Sequence, residues 1–446
     1  MHNLQAKPVE RPTMIQKHRC ISKSPAFSIP SLTMWIFLFI CLGIVSGCGG
    51  GGGTAGSPAP VIVFSKNRPD PPNDFISPIL NDRFTADPAA VSSDFDYFEV
   101  DSPCMVDDPG RIINDPATGL CTSCDRYMLF YEATDGATFE NSIGLVTSDE
   151  YNFDPILGSR TQVLTAAELP QLEFGGFLET AFNVTDPSVI LDKSVPAGVS
   201  GRYLMWFEGT YGIAGLLSAT LTCQSADGIT WTTPALCIGL EVGPSFGDVF
   251  RISDPEVIQV SVGTEPLEYR MVFEAVRTDG SAVIGMATSS NGLAWTVTDG
   301  ALTGVDAGPI FSGGPGAFDD FAVRSPTFEI ERDSLDNIVE WHLFYEGQQL
   351  FSDNDSFIGY SNSIDGFSWS GYAVPVISPS SDNFIPVTFD SDDVKHPHIA
   401  LRDPDPLTDF EPDLNRLLLY YSGDPQISDG SGSLEEVNRI GLAVSE

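Results

Sequence analysis

Basic residues are scarce in this 446-residue chain: 22 Lys and Arg stand against 61 Asp and Glu, with five histidines. A formal net charge of −39 repels phosphate backbones and anionic headgroups, which excludes nucleic acid and an acidic lipid surface as partners. Such a surface suits high salt, where screening is strong. Apolar runs with a 3.6-residue period are missing too, so a helical bundle is excluded. The one long apolar stretch, MWIFLFICLGIVSG (34–47), is too short for a comfortable membrane span. No phosphate loop, nucleotide fingerprint or Ser-His-Asp phrase occurs. What the chain has instead is 42 Gly and 33 Pro scattered along its length, the composition of many short strands and turns.

The apolar stretch follows Lys17, Arg19 and Lys23 and stops at small residues before Cys48, the layout of an export signal. VSGC (45–48) resembles the lipobox of bacterial lipoproteins. That resemblance implies lipidation at Cys48, a membrane-anchored exported protein, and, with Gly49 following, placement at an outer membrane or cell surface. The competing reading is an ordinary signal peptide with an incidental Cys48, and the upstream length admits a start at Met14. The boundaries expected are a signal at 1–47, a Gly-rich tether at 48–60 and a folded domain at 61–446. In an exported chain the remaining cysteines are expected as disulfides, Cys223 with Cys237 and Cys104 with Cys121 or Cys124. CTSC (121–124) has no second ligand pair behind it, so zinc ranks below a disulfide.

One phrase recurs. VTDPSVI (184–190), ISDPEVI (252–258), VRSPTFEI (323–330) and VKHPHIA (394–400) share a proline, and Pro103 heads an earlier version. Behind each proline lies an aromatic run, RYMLFYEA (126–133), RYLMWFEG (202–209), YRMVFEA (269–275), WHLFYEG (341–347) and RLLLYYSG (416–423). A third phrase follows, of the type IGMATSSNGLAW (284–295). Repeats of about 70 residues rich in strands indicate a propeller. The expected fold is all-β: a five-bladed β-propeller with four-stranded blades. The first strand of each blade is expected to start at the proline, which donates no ladder bond. The fifth copy ends at Glu446 without a fourth strand, so 60–66 (PVIVFSK) is expected to close the ring.

These three phrases resemble the glycosidase-type propellers, glycoside hydrolase families 43, 32 and 130 and their relatives. The resemblance covers about residues 95–446 and implies a carbohydrate partner. WHLFYEGQ is similar to a strand of family 32, but that family's NDPNG phrase and the EGP phrase of family 43 are absent, so no complete catalytic set transfers. Antiparallel pairing puts the start of each first strand beside the end of the second. The rim then reads Asp101 with Glu132, Asp186 with Glu208, Asp254 with Glu274, Arg324-Ser325 with Glu346, and Lys395-His396 with Ser422.

Asp before Pro is also an ordinary turn former, yet a purely structural need would recur in every copy. Here the residue varies from Asp to Ser to His, and KHPH gathers scarce basic side chains. Carboxylates converging from separate blades suit glycosidic cleavage, one protonating the leaving oxygen while another activates water or attacks the sugar. The catalytic candidates are Asp101, Asp186 and Asp254 as base or stabiliser, and Glu208 or Glu274 as acid. Arg324, His396, Glu132 and Glu346 are the substrate-binding candidates. Trp206 is read either as core or as a sugar-stacking ring. SDNDS (352–356) and DSDDVKH (390–396) have the oxygens for a structural calcium ion, and no other cofactor is indicated. Three functions fit: an enzyme that hydrolyses or phosphorolyses glycosidic bonds, a non-catalytic carbohydrate-binding module, and a protein-interaction propeller.

Overall fold

The structure is a computed structural model. It describes residues 64–66, 79–80 and 94–445, except 112, 115–120, 124, 150, 152, 154–159, 213–214, 262–265, 334, 350–355, 381–388, 402–416, 425–426, 429–433 and 436–437. The expected signal, the tether, Cys48 and most of SDNDS lie outside the described residues, as does the placement of the Cys121 and Cys124 side chains.

The chain is all-β. Each copy of the repeat forms an antiparallel group in which the proline strand pairs with the aromatic strand and that with the third phrase. The proline strands are Glu99–Asp107, Ala181–Leu191, Val249–Gln259, Ala322–Arg332 and Asp393–Leu401. Short fourth strands pair on the outside of copies one to four, for example Thr161–Leu164 and Ala235–Leu236. Copies three and four are joined by a single parallel pair, Ala282 with Ala322. The core is divided among five clusters of buried side chains, each drawn from two neighbouring copies. One of them mixes Val100 and Leu129 of the first copy with Leu418 and Leu442 of the last. The proline strands touch one another in sequence order, and the fifth touches the first.

The expected closing strand is present in part. Phe64–Lys66 pairs antiparallel with Arg439–Ser445, Phe64 opposite Ser445. Lys66 fastens it: its Nζ donates to Asp390 Oδ2 at 2.5 Å, Ser380 Oγ at 2.9 Å and Ser378 O at 2.8 Å. The Asp390 side chain is fully buried and also accepts from Tyr421 at 2.9 Å.

Two expectations are corrected. The proline strands do not start at the proline, because in every copy the strand begins several residues earlier and passes through it. A register shift at that point leaves two residues opposite one. The bulge takes proline out of the ladder, so its missing N–H is not needed. The disulfides are absent as well: Cys104, Cys223 and Cys237 are buried free thiols. The Cys237 N–H donates to Thr220 O, three residues from Cys223 along the partner strand. That odd offset sends the two sulfurs to opposite faces of the sheet. Cys223 accordingly packs between copies one and two, and Cys237 between copies two and three. Cys104 instead meets the backbone of Val189, accepting its N–H at 3.2 Å.

Replacing Lys66 by Met leaves the Asp390 carboxylate buried without its cation. We expect urea unfolding to show a loss of about 3–5 kcal/mol, and the added Asp390→Asn change to recover part of it.

Candidate functional site

The bulges explain why one phrase is rewritten with different residues. Ser102, Asp186, Asp254, Ser325 and His396, each just before its proline, all have positive φ, between 41° and 53°. A side chain in this region costs about 1–2 kcal/mol, and proline further disfavours helical backbone at the residue before it. Each bulge sits opposite one fully buried ring of the aromatic strand: Tyr131, Phe207, Phe273, Tyr345 or Tyr421. In every copy but the second, where Leu221 faces Phe207, a glycine of the third strand makes room for that ring. A Cβ on Gly359 would lie 2.4 Å from Cζ of Tyr345, which accounts for the glycine in FIGY. Held this way, the five pre-proline residues and their prolines enclose one small space of about 40 Å³.

Above this constriction opens a cavity of about 640 Å³, lined by the strand ends of all five copies. Of the expected rim pairs, Asp101 lies opposite Glu132, Arg324 opposite Glu346 and Lys395 opposite Ser422, whereas Glu208 and Glu274 oppose Thr185 and Ser253, with Asp186 and Asp254 one residue on, in the bulges. Of the nine expected catalytic and binding residues, eight line the cavity: Asp101, Glu132, Asp186, Asp254, Glu274, Arg324, Glu346 and His396. Glu208 does not. Its carboxylate is nearly inaccessible and accepts two hydrogen bonds from Arg251, at 2.9 and 2.6 Å.

At the centre, Ser102 donates to Asp186 at 2.9 Å and Ser325 to Asp254 at 3.2 Å. His396 Nδ1 lies 2.6 Å from Asp101 Oδ1, and Asn438 donates to the other Asp101 oxygen at 2.7 Å. Arg324 is engaged on three sides, donating to Glu274 at 2.7 Å, Gly280 O at 2.6 Å and Gln348 at 3.1 Å. Glu346 accepts from Ser356 at 2.8 Å, and Glu132 from Asn141.

These surroundings drive the carboxyls apart. Burial, and then the Asp254 charge, push the Glu274 carboxyl well above the usual range. Burial and the charges of Asp254 and Glu208 do the same to Asp186. Burial would raise Asp254 as well, but the His396 imidazolium and Arg251 outweigh it and hold that carboxyl low. Asp101 is likewise held low against burial by His396 and Lys395. His396, disfavoured as a cation by burial, is kept charged by Asp101. Burial lifts Glu208 to about 7 despite Arg251. The cavity thus mixes ionised and neutral carboxyls at one pH.

Donor atoms of Asp186, Asp254 and His396 lie within 4.8 Å of one another, a geometry able to hold a metal ion. In the expected calcium segment, Asp392 and Asp393 approach Asp424 in the same way. Trp206 is core, 1% exposed and packed against Tyr269 and Trp295. The sequence reading missed Asn141, Asn183, Arg251 and Gln348 on the cavity wall, and took Asp393 only for a calcium ligand. Arg251 carried a signal, as a rare cation two residues ahead of Ser253.

No protein-family model and no curated protein matches the sequence. Solved structures do resemble the fold. An N-acetylgalactosamine deacetylase from F. plautii, in complex with blood group B trisaccharide, superposes with a TM-score of 0.51 at 15% identity, covering 83% of this chain and 94% of that one. The catalytic domain of the Coprinopsis cinerea GH62 alpha-L-arabinofuranosidase gives 0.50 at 13% identity, over 86% and 97%. The chain therefore shares the all-β fold of the glycoside hydrolase-type propellers.

Backbone strain at the constriction has a measurable consequence at Ser325. In Ser325→Gly the relief of about 1 kcal/mol offsets a lost hydrogen bond of similar size, so stability should stay near that of the parent. Ser325→Val adds a β-branched side chain in the left-handed region and should lose about 2 kcal/mol or more by chemical denaturation.

Proposed function

We propose that this chain is a five-bladed propeller with four-stranded blades that hydrolyses glycosidic bonds of a carbohydrate held in the acidic cavity. The observation that carries the reading is that Asp254 and Glu274 line one cavity, where His396 and Arg251 hold the Asp254 carboxyl low while burial and the Asp254 charge push Glu274 up. An ionised carboxylate activates water or attacks the anomeric carbon, and a neutral one protonates the departing oxygen. Asp254 takes the first role and Glu274 the second. Asp186, also neutral, donates to sugar oxygens, and the Asp101–His396 pair fixes the charge on Asp254. Phe250, 59% exposed on the cavity wall, presents an apolar face to a sugar ring. Arg324, a substrate-binding candidate already engaged on three sides, fixes Glu274 instead.

The same centre supports a second reading, because Asp186, Asp254 and His396 have the donor geometry for a metal-activated water. Chelation separates the two: carboxylate chemistry survives it and metal chemistry does not. The export reading also stands as a proposal, with Cys48 the lipidated residue; its sole support is the 34–48 sequence, and labelling of the parent but not Cys48→Ala by palmitate tests it.

Activity on a panel of glycans and aryl glycosides tests the main reading. Asp254→Asn and Glu274→Gln should each lower kcat by roughly 10²–10⁴-fold, and Glu208→Gln far less. The active form needs Asp254 ionised and Glu274 protonated. The rate should therefore fall at low pH as Asp254 gains its proton, below the ordinary carboxylate range. It should fall again as pH rises through the elevated Glu274 value, and this second limb should vanish in Glu274→Gln. Binding without turnover across the panel would instead identify a carbohydrate-binding module.

A further inference from the structure

Beyond the proline constriction lies a second cavity of about 570 Å³, lined by residues downstream of the prolines, among them Glu331 and His342. The fourth copy's first two strands set Glu331 directly opposite Glu340. Directly opposed residues share a face, as do residues two apart on one strand, so His342 joins them. Two carboxylates in this relation repel and weaken the pair. Nevertheless one donor atom from each of Glu331, Glu340 and His342 lies within 4.8 Å of the others, with His342 Nε2 3.5 Å from Glu331 Oε2.

The surroundings orient two of the three, His342 and Glu340. His342 is 6% exposed, and its Nδ1 lies 2.8 Å from the Tyr360 hydroxyl. Asn362 donates to Glu340. Such outer hydrogen bonds fix the tautomer of a ligating imidazole and the rotamer of a ligating carboxylate. In the tautomer whose Nδ1–H donates to Tyr360, Nε2 turns a lone pair towards two carboxylates, an arrangement that a cation between them makes stable.

We propose that Glu331, Glu340 and His342 bind a divalent transition-metal ion, Zn²⁺ or one of similar preference, at the mouth opposite the acidic cavity. One imidazole and two carboxylates match zinc's nitrogen and oxygen ligands, and three protein ligands leave a position for water. The site is separate from the central carboxyl cluster and independent of the proposed hydrolysis.

The test is a Co²⁺ titration of the chelator-stripped chain, followed by visible absorption and by competition with Zn²⁺. The expected result is one Co²⁺ equivalent whose absorption Zn²⁺ abolishes. Its affinity should fall roughly tenfold or more in both Glu340→Gln and Glu331→Gln, with far-UV circular dichroism and the urea midpoint showing both variants folded. Asp254→Asn should leave it unchanged. The proposal is overturned if the chain retains no Co²⁺, or if the two Gln variants bind as the parent does. The second outcome would leave the Tyr360–His342–Glu331 contacts as a plain hydrogen-bond relay. Loss of the ion in Asp254→Asn alone would also overturn it, by placing the metal at the centre.

Discussion

A residue forced into the left-handed region before each proline is the constraint on which the rest of this molecule depends. The bulge it creates removes proline from the ladder, sets two residues against one buried ring, and turns the pre-proline side chain towards the axis. Ser102, Asp186, Asp254, Ser325 and His396 share that backbone, so the fold demands the conformation and leaves the residue type free. Strained non-glycine residues persist where their surroundings over-determine them. Here the buried rings of the aromatic strands do so, and the freedom in residue type is what gives the centre its chemistry.

The second organising force is the distribution of cations in a very acidic chain. Arg251, Arg324, Lys395 and His396 all stand on this rim. Arg251 clamps Glu208 and, with His396, lowers Asp254, while Arg324 engages Glu274 without bringing its carboxyl down to the ordinary range. In a low-dielectric space small differences in contact become large differences in protonation. Carboxyls of similar sequence context therefore end in opposite states, the condition for paired acid and base work.

Much of this was legible in the sequence. The proline spacing exposed the repeat, and the order of phrases gave the antiparallel pairing that brings Asp101 opposite Glu132 and sets Glu274 one residue from Asp254 in register. The closing strand followed from the missing fourth strand of the last copy. The failures have physical causes. Spacing does not say which face of a strand a sulfur takes, so Cys223 and Cys237 looked like partners when the register separates them. Nor does a strand-end Glu reveal its surroundings: Glu208 and Glu274 read alike and each is held by an arginine, yet only Glu274 lines the cavity. The bulge was hidden because Asp-Pro and Ser-Pro are ordinary turn signals, and only backbone geometry distinguishes a turn from a strained strand.

The proposed hydrolysis requires Asp254 and Glu274 to hold opposite protonation states in one cavity. Carboxyl-carbon NMR titration of ¹³C-labelled Asp and Glu, assigned by difference against Asp254→Asn and Glu274→Gln, reads this directly. The Asp254 signal should titrate below the ordinary aspartate range and the Glu274 signal well above the ordinary glutamate range. Two signals titrating together at ordinary carboxylate values would contradict it.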